Sequence, residues 1–351
     1  MDNTLSKELL KKNSFDFLRF IFATSVIFSH SFSLKAGMNL LEPLSLTAQI
    51  YKNFGNVAVF SFFILSGFLL TRSWILKPNT LTFFKKRISR IFPGIIVATL
   101  VTILILGFFS GIPYQEYILH KQTVRYLSNF FLYPIHYSLP GIFQNNPYIY
   151  TVNGSLWSIS YEWTCYVILT IIGSLGLLSI RKEALPITYV FVAILYYFEI
   201  GKNVTFLFSI NLYTLFSLFL FFLSGSLFYV HANKIPLNKY LMLFCVPIFI
   251  FLLFSMKMSF LYVFLGPITL TYILIFISYN TPYLNEFSHK IGDLSYGLYI
   301  YAFPTQQLLI SLSKNTLSIS ELFISSFFIS FLFAYISWHF VEKQFLNKDK
   351  H

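Results

Sequence analysis

Long apolar runs, separated by short polar or basic stretches, occupy the chain from Phe15 to Val341. A hydrocarbon core of about 30 Å takes about 20 helical residues to cross. Ten segments meet or approach that length: 15–34, 54–75, 88–112, 156–180, 184–200, 206–230, 238–256, 258–279, 291–313 and 318–341. The fifth is short and ends at Glu199, and only a tight turn near Lys257 separates the seventh from the eighth. The pattern predicts an all-α polytopic membrane protein, a bundle of about ten transmembrane helices built as a single membrane domain over 1–351. The longest stretch between spans, 113–155, has 43 residues and is itself rich in aromatics, so no separate soluble domain is expected. Prolines fall within or beside spans at Pro93, Pro186, Pro247, Pro267 and Pro304, where neighbours or a cavity must satisfy the freed backbone groups.

Composition supports the same class. Hydrophobic residues make up 56% of the chain, charged residues only 11%, and the mean hydropathy is +0.68; a soluble domain carries about 25% charged residues. Cys165 and Cys245 both lie in apolar segments and suggest neither a disulfide framework nor a zinc site. A basic start followed by an apolar run looks like a signal peptide, but Arg19 and His30 interrupt the run and no small-residue cleavage site follows. An uncleaved first span is therefore expected.

Charge sets the expected orientation. With the N-terminus inside and ten spans, 17 of the 25 Lys and Arg residues fall on the cytoplasmic side and 7 outside, with Arg19 in the span itself. The positive-inside rule then places both termini in the cytoplasm. The net charge of +12 is thus mainly a topology signal. Its basic residues are scattered over short loops, which gives no support to a nucleic-acid partner.

Ionisable groups at membrane depth are costly and usually face a protein interior or a wet cavity. Arg19 and His30 stand eleven residues apart, so one helix face carries both, displaced by roughly 16 Å. Taken alone, Arg19 also fits a snorkelling anchor paired with Asp16, and His30 an interhelical hydrogen bonder. Glu162, between Tyr161 and Trp163, has few structural excuses. By helical rise His30 lies roughly 22 Å into the first span, and Glu162 roughly 9 Å below the outer surface. If the first and fourth spans are neighbours, these levels let the carboxylate orient the imidazole as a general base. At the inner start of the third span, Lys85-Lys86-Arg87-Ile88-Ser89-Arg90-Ile91-Phe92-Pro93 puts four cations in six residues. They suit phosphate groups, and equally an ordinary anchor to anionic headgroups. Tyr114, Tyr117, Tyr126, Tyr133, His136, Tyr137, Tyr148 and Tyr150 of the outer segment fit a sugar ring or the membrane interface alike. Asn153-Gly154-Ser155 matches a glycosylation sequon, a pattern frequent by chance.

Six stretches occur in an order that resembles one known family. Phe15-Asp16-Phe17-Leu18-Arg19 followed by His30 is similar to the first-helix signature of the bacterial acyltransferase 3 family, an Arg and a His separated by ten residues. There follow Phe62-Phe63-Ile64-Leu65-Ser66-Gly67-Phe68-Leu69-Leu70, the basic segment Lys86 to Pro93, and Ser155-Leu156-Trp157-Ser158-Ile159-Ser160-Tyr161-Glu162. Leu294-Ser295-Tyr296-Gly297-Leu298-Tyr299 and Phe340-Val341-Glu342-Lys343 complete the series. The resemblance implies a membrane O-acyltransferase that takes an acyl group, commonly acetyl from acetyl-CoA in the cytoplasm, to an extracytoplasmic glycan. It makes His30 and Arg19 the essential pair, Arg87, Arg90 and Glu162 supporting members, and requires no metal. The basic residues Lys85, Lys86, Arg87 and Arg90 would hold the nucleotide of the donor. Many relatives place a His shortly after the Tyr-Gly-Leu-Tyr run, where this chain has Tyr301, Ala302 and Phe303. Some carry a further soluble esterase-like domain; this chain would complete transfer alone or with a separate partner. A transporter or flippase for a small or lipid-linked anionic substrate is the rival reading, because intramembrane charges and proline breaks also line transport paths.

Overall fold

The computed structural model describes residues 13–36, 42–47, 53–178, 183–206, 209–254 and 260–347. Each predicted segment coincides with a helix: α1 (Phe15–Ala36), α2 (Phe54–Leu76), α3 (Thr80–Gly107), α4 (Leu156–Ser174), α5 (Ala184–Tyr197), α6 (Leu212–Val230), α7 (Lys239–Phe254), α8 (Phe260–Asn280), α9 (Ser295–Leu312) and α10 (Ile319–Ser337). A π-helical turn, Trp338–Glu342, carries α10 on into Lys343–Asn347. Six of these helices are long and apolar enough to cross a membrane: α1, α2, α3, α6, α8 and the continuous Ile319–Leu346. The chain is a multi-pass membrane protein. The helices α5 and α7 are apolar but short. In α4 and α9, at 19 and 18 residues, polar positions such as Glu162 and Gln306 dilute the apolar run. The turn expected at Lys257 lies outside the described residues, as do the loop or terminal cations Lys7, Lys11, Lys12, Lys52, Arg181, Lys182, Lys348 and Lys350.

Two helix starts differ from expectation for local reasons. The Asn79 side chain caps α3 by accepting from the Thr82 amide at 2.8 Å, so the helix begins eight residues before the predicted start at 88. The basic cluster therefore rides on helical turns, one face inward and one outward, rather than on a loop. Conversely, α6 starts late because Thr205–Phe206 pairs with Ile210–Asn211 as a short hairpin, after which Asn211 accepts from the Thr214 amide.

The centre of the bundle is the contact between α2 and α6, which approach backbone to backbone. A Cβ added at Gly67 would stand 1.9 Å from the Phe222 carbonyl oxygen, and one at Gly225 would stand 2.1 Å from that of Ile64. Between helices in a membrane, small residues permit this closeness and polar side chains tie it. Here Thr71 and Ser226 share a hydrogen bond at 2.9 Å, and Ser226 also donates to the Gly67 carbonyl. We expect Gly67→Ala to destabilise at or beyond the top of the about 1–3 kcal/mol range typical of overpacked cores. A lowered Tm of the purified protein and reduced membrane abundance would show it; unchanged values would refute the close contact.

Around this spine, α1 packs against α2 and α9, and α9 against α10. One end of the bundle holds the start of α1 and the end of α10. The other end is covered by segment 113–155, which has a small core of its own formed by Ile103, Leu106, Tyr117, Tyr126, Leu139, Ile142, Phe143 and Val152. Burial pushes the phenols of Tyr117 and Tyr126 above the ordinary tyrosine range, so both stay neutral. These two rings serve that core and present no face to a sugar. Tyr137 and Tyr150 are exposed.

Candidate active site

A cavity of about 790 Å³ opens at the end where α1 begins and runs up between α1, α2, α3, α4, α9 and α10. Its mouth is lined by Asp16 and Arg19 of α1, Lys290 before α9, and Lys343 after the π-helical turn. One wall is α3, whose Lys86, Arg87 and Arg90 face the cavity while Lys85 points outward and is exposed. The helical phase explains this split, since adjacent residues point about 100° apart.

Arg87 makes no ion pair with another described residue. Its Nε is buried without a hydrogen-bond partner, and Tyr166, Arg19, Arg90 and Glu162 are its electrostatic neighbours. Arg19 contacts Asp16 at 3.5 Å, a loose i,i+3 pair on a partly exposed helix end. Arg90 is bound more firmly. One nitrogen donates to Asp293 at 2.6 Å, the other stands 3.8 Å from Glu342, and the guanidinium lies over the rings of Trp338 and Tyr296 at 5.5 Å and 5.9 Å. Ser295 donates to Asp293, Ser337 to Glu342, and the Tyr296 hydroxyl to the Ile91 carbonyl. This network ties α3 to α9 and α10. The π-helical turn makes it possible, bringing Trp338, His339 and Lys343 to the cavity and burying Glu342.

Glu162 lies on the cavity, where its Oε1 accepts from Ser66 at 2.7 Å and from the Tyr166 hydroxyl at 2.6 Å. Neither partner is an imidazole, and the expected pairing with His30 is not formed. Side-by-side contacts set the levels: Phe15 meets Phe68, Phe22 meets Phe62, and Gly55 sits against Ser29. Ser66 therefore stands level with the first turns of α1, and Glu162 beside Arg19, roughly 16 Å from the level of His30. The cause is the start of α4. Segment 113–155 buries Asn153, Ser155 and Leu156, so the helix begins inside the bundle rather than at its surface.

His30 lies beyond the upper end of the cavity, which reaches Val59, Phe62, Ser158 and Tyr299. Val59 is one helical turn, about 6 Å, from Gly55 at the His30 level. The imidazole meets the Phe303 ring edge-on at 5.2 Å, and its Nδ1 has no hydrogen-bond partner. The structure thus brings Arg19, Lys86, Arg87, Arg90 and Glu162 to one cavity, places His30 above it and leaves Lys85 outside. Sequence reasoning missed Asp293, His339 and Lys290. A lone carboxylate at the foot of a span, as Asp293 is, was the available signal.

A family model described as an acyltransferase domain matches residues 12–339. An O-acetyl transferase of Shigella phage Sf6 is 28% identical over 343 residues, covering 96% of this chain and 97% of the relative. Nodulation protein 10 of Rhizobium leguminosarum bv. viciae is 30% identical over 167 residues, covering 45% of this chain and 43% of the relative. No solved structure matches. The family match spans nearly the whole chain and takes in both the cation-lined cavity and the helix bearing Arg19 and His30: the chain belongs to the acyltransferase 3 family and is an O-acyltransferase.

Proposed function

We propose that this enzyme takes acetyl from acetyl-CoA on the cytoplasmic side of a bacterial inner membrane and passes it to a hydroxyl of an extracytoplasmic glycan. The observation that carries the reading is one cavity, with cations at its mouth, that rises to within about a turn of His30. Its volume of about 790 Å³ falls in the range of small-molecule sites, about 300–1,000 Å³. The end with Lys290, Lys343 and the basic turns of α3 is assigned to the cytoplasm by the positive-inside rule, with both chain termini on that side.

Each group then has a task. Arg87, with Lys86 and Lys343, binds the phosphates of the donor through charge-assisted hydrogen bonds. Arg90, held by Asp293 and Glu342, positions the α3 wall. Glu162, held by Ser66 and Tyr166, offsets the positive charge of Arg19 and Arg87 at the foot of the cavity and stands too far from His30 to orient its imidazole. At the upper end the acceptor oxygen attacks the thioester carbon, His30 takes the hydroxyl proton, and the carbon–sulfur bond breaks. The leaving thiolate takes up the proton that the His30 imidazolium gives back, so CoA departs toward the cytoplasm as the thiol and the imidazole is neutral again.

The reading is tested with inverted membrane vesicles given acetyl-CoA labelled in its acetyl group. Label should enter lumenal polysaccharide, and Arg87→Gln should raise the KM for acetyl-CoA about 10-fold or more through loss of a charge-assisted bond. Label that never leaves CoA, or an Arg87→Gln enzyme with the parental KM, would overturn it.

A further inference from the structure

Four buried polar atoms at the upper end of the site have no hydrogen-bond partner: His30 Nδ1, Ser155 Oγ and Gln306 Oε1, and, on the side of Ser29 and Phe54, Glu42 Oε2. The first three belong to residues at or next to one ring, Phe303. Phe303 meets the imidazole of His30, and it also stands where a Cβ on Gly154, next to Ser155, would be 2.5 Å away. Gln306 lies three residues along the same helix face. Its amide nitrogen donates to the Ile27 carbonyl and to Ser31 Oγ, both at 2.9 Å, which fixes the amide oxygen as the atom left over. A buried polar group without a partner costs about 1–3 kcal/mol. Three on residues at or beside Phe303 point to a place for a polar ligand.

The surrounding backbone holds this place in shape. Pro304 has no amide hydrogen, so the Ile300 carbonyl loses its helical donor. The Asn153 side chain takes over that carbonyl at 2.8 Å and anchors the end of segment 113–155 to α9 at the level of Phe303. The tripeptide Asn153-Gly154-Ser155 thereby has a structural use: Asn153 ties, Gly154 admits the ring, and Ser155 supplies a hydroxyl. One turn below, Tyr299 lines the donor cavity and shares a hydrogen bond with Ser158 at 2.6 Å. Tyr148 of the outer segment meets Phe303 from the other side at 6.1 Å.

We propose that His30, Ser155 and Gln306 form the acceptor subsite, that it takes a neutral hydroxyl group of a sugar ring, and that Phe303 fills it until the acceptor enters. The proposal deepens the transfer reading and rests on it. The ligand class follows from the donor set. An imidazole nitrogen, a hydroxyl and an amide oxygen can exchange hydrogen bonds with an alcohol. They include no cation to hold a carboxylate or phosphate, and the carboxylate at this level, Glu42, is engaged by the Phe54 amide and Ser29 rather than turned over to an amine.

Two measurements on the purified full-length protein test it. In the first, CoA release and ester formation are followed with acetyl-CoA and methyl α-D-glucopyranoside, and with the corresponding glucuronide. Ser155→Ala and Gln306→Met should each raise the KM for the glucopyranoside about three- to tenfold, the worth of one hydrogen bond, with the KM for acetyl-CoA unchanged. Preference for the glucuronide, or donor and acceptor KM values that move together or not at all, overturns the subsite. In the second, diethylpyrocarbonate modification of the peptide containing His30 is read by mass spectrometry. Phe303→Ala should raise its rate severalfold; an unchanged rate refutes the covering role of the ring. If the parental protein releases no CoA with either glycoside, the transfer reading fails, and the second measurement still decides whether Phe303 covers His30.

Discussion

His30→Ala should abolish acetyl transfer. Removal of a general base typically costs 10²–10⁴-fold in rate, and a structural histidine in this position would cost only stability. Acetyl appearing in polysaccharide, measured with parental and His30→Ala membranes normalised for protein abundance, separates the two. His30→Gln keeps a polar side chain of similar size and should be as inactive as the alanine variant. Either variant working at the parental rate would remove His30 from the reaction. The effect should fall on transfer alone, because His30 lies outside the donor cavity, and binding of acetyl-CoA should persist in both variants.

The second large effect concerns the buried charges at the cavity wall. Asp293→Asn strands the Arg90 guanidinium with Glu342 as its remaining ionic partner, 3.8 Å away. Removing one partner of a fully buried pair costs about 3–5 kcal/mol. The side chains of Arg90 and Asp293 remain 20% and 16% exposed, which puts the expectation at the low end, about 3 kcal/mol. Because the network joins α3 to α9 and α10, a lowered Tm should come with a raised KM for acetyl-CoA. A double variant, Arg90→Met with Asp293→Asn, removes the stranded charge and should recover part of the Tm without restoring the KM. Additive losses in the double variant would show that the pair is not coupled.

The helices were legible because their signal is local: twenty apolar residues make a span wherever they occur. The acylation chemistry was legible from six stretches in order, each too loose to stand alone. What could not be read was how far each helix sits along the bundle axis. Assigning Glu162 to the level of His30 assumed that α4 starts at the surface, whereas the fold of segment 113–155 buries that start. The partners of Arg90 were hidden for another reason. Asp293 lies 203 positions along the chain, and only the packing of α3 against α9 and α10 brings it within reach. Similarly, the tripeptide at Asn153 reads as a chance sequon until the carbonyl released by Pro304 is found opposite its side chain.

At 28 residues, α3 measures about 42 Å along its axis, some 12 Å more than a hydrocarbon layer of about 30 Å. The excess must be taken up by tilt, by protrusion or by local thickening of the lipid. Whichever occurs, lipids of different acyl-chain length will shift Arg87 relative to the headgroup plane, so bilayer thickness becomes a physical control on how deeply the nucleotide end of the donor is drawn in.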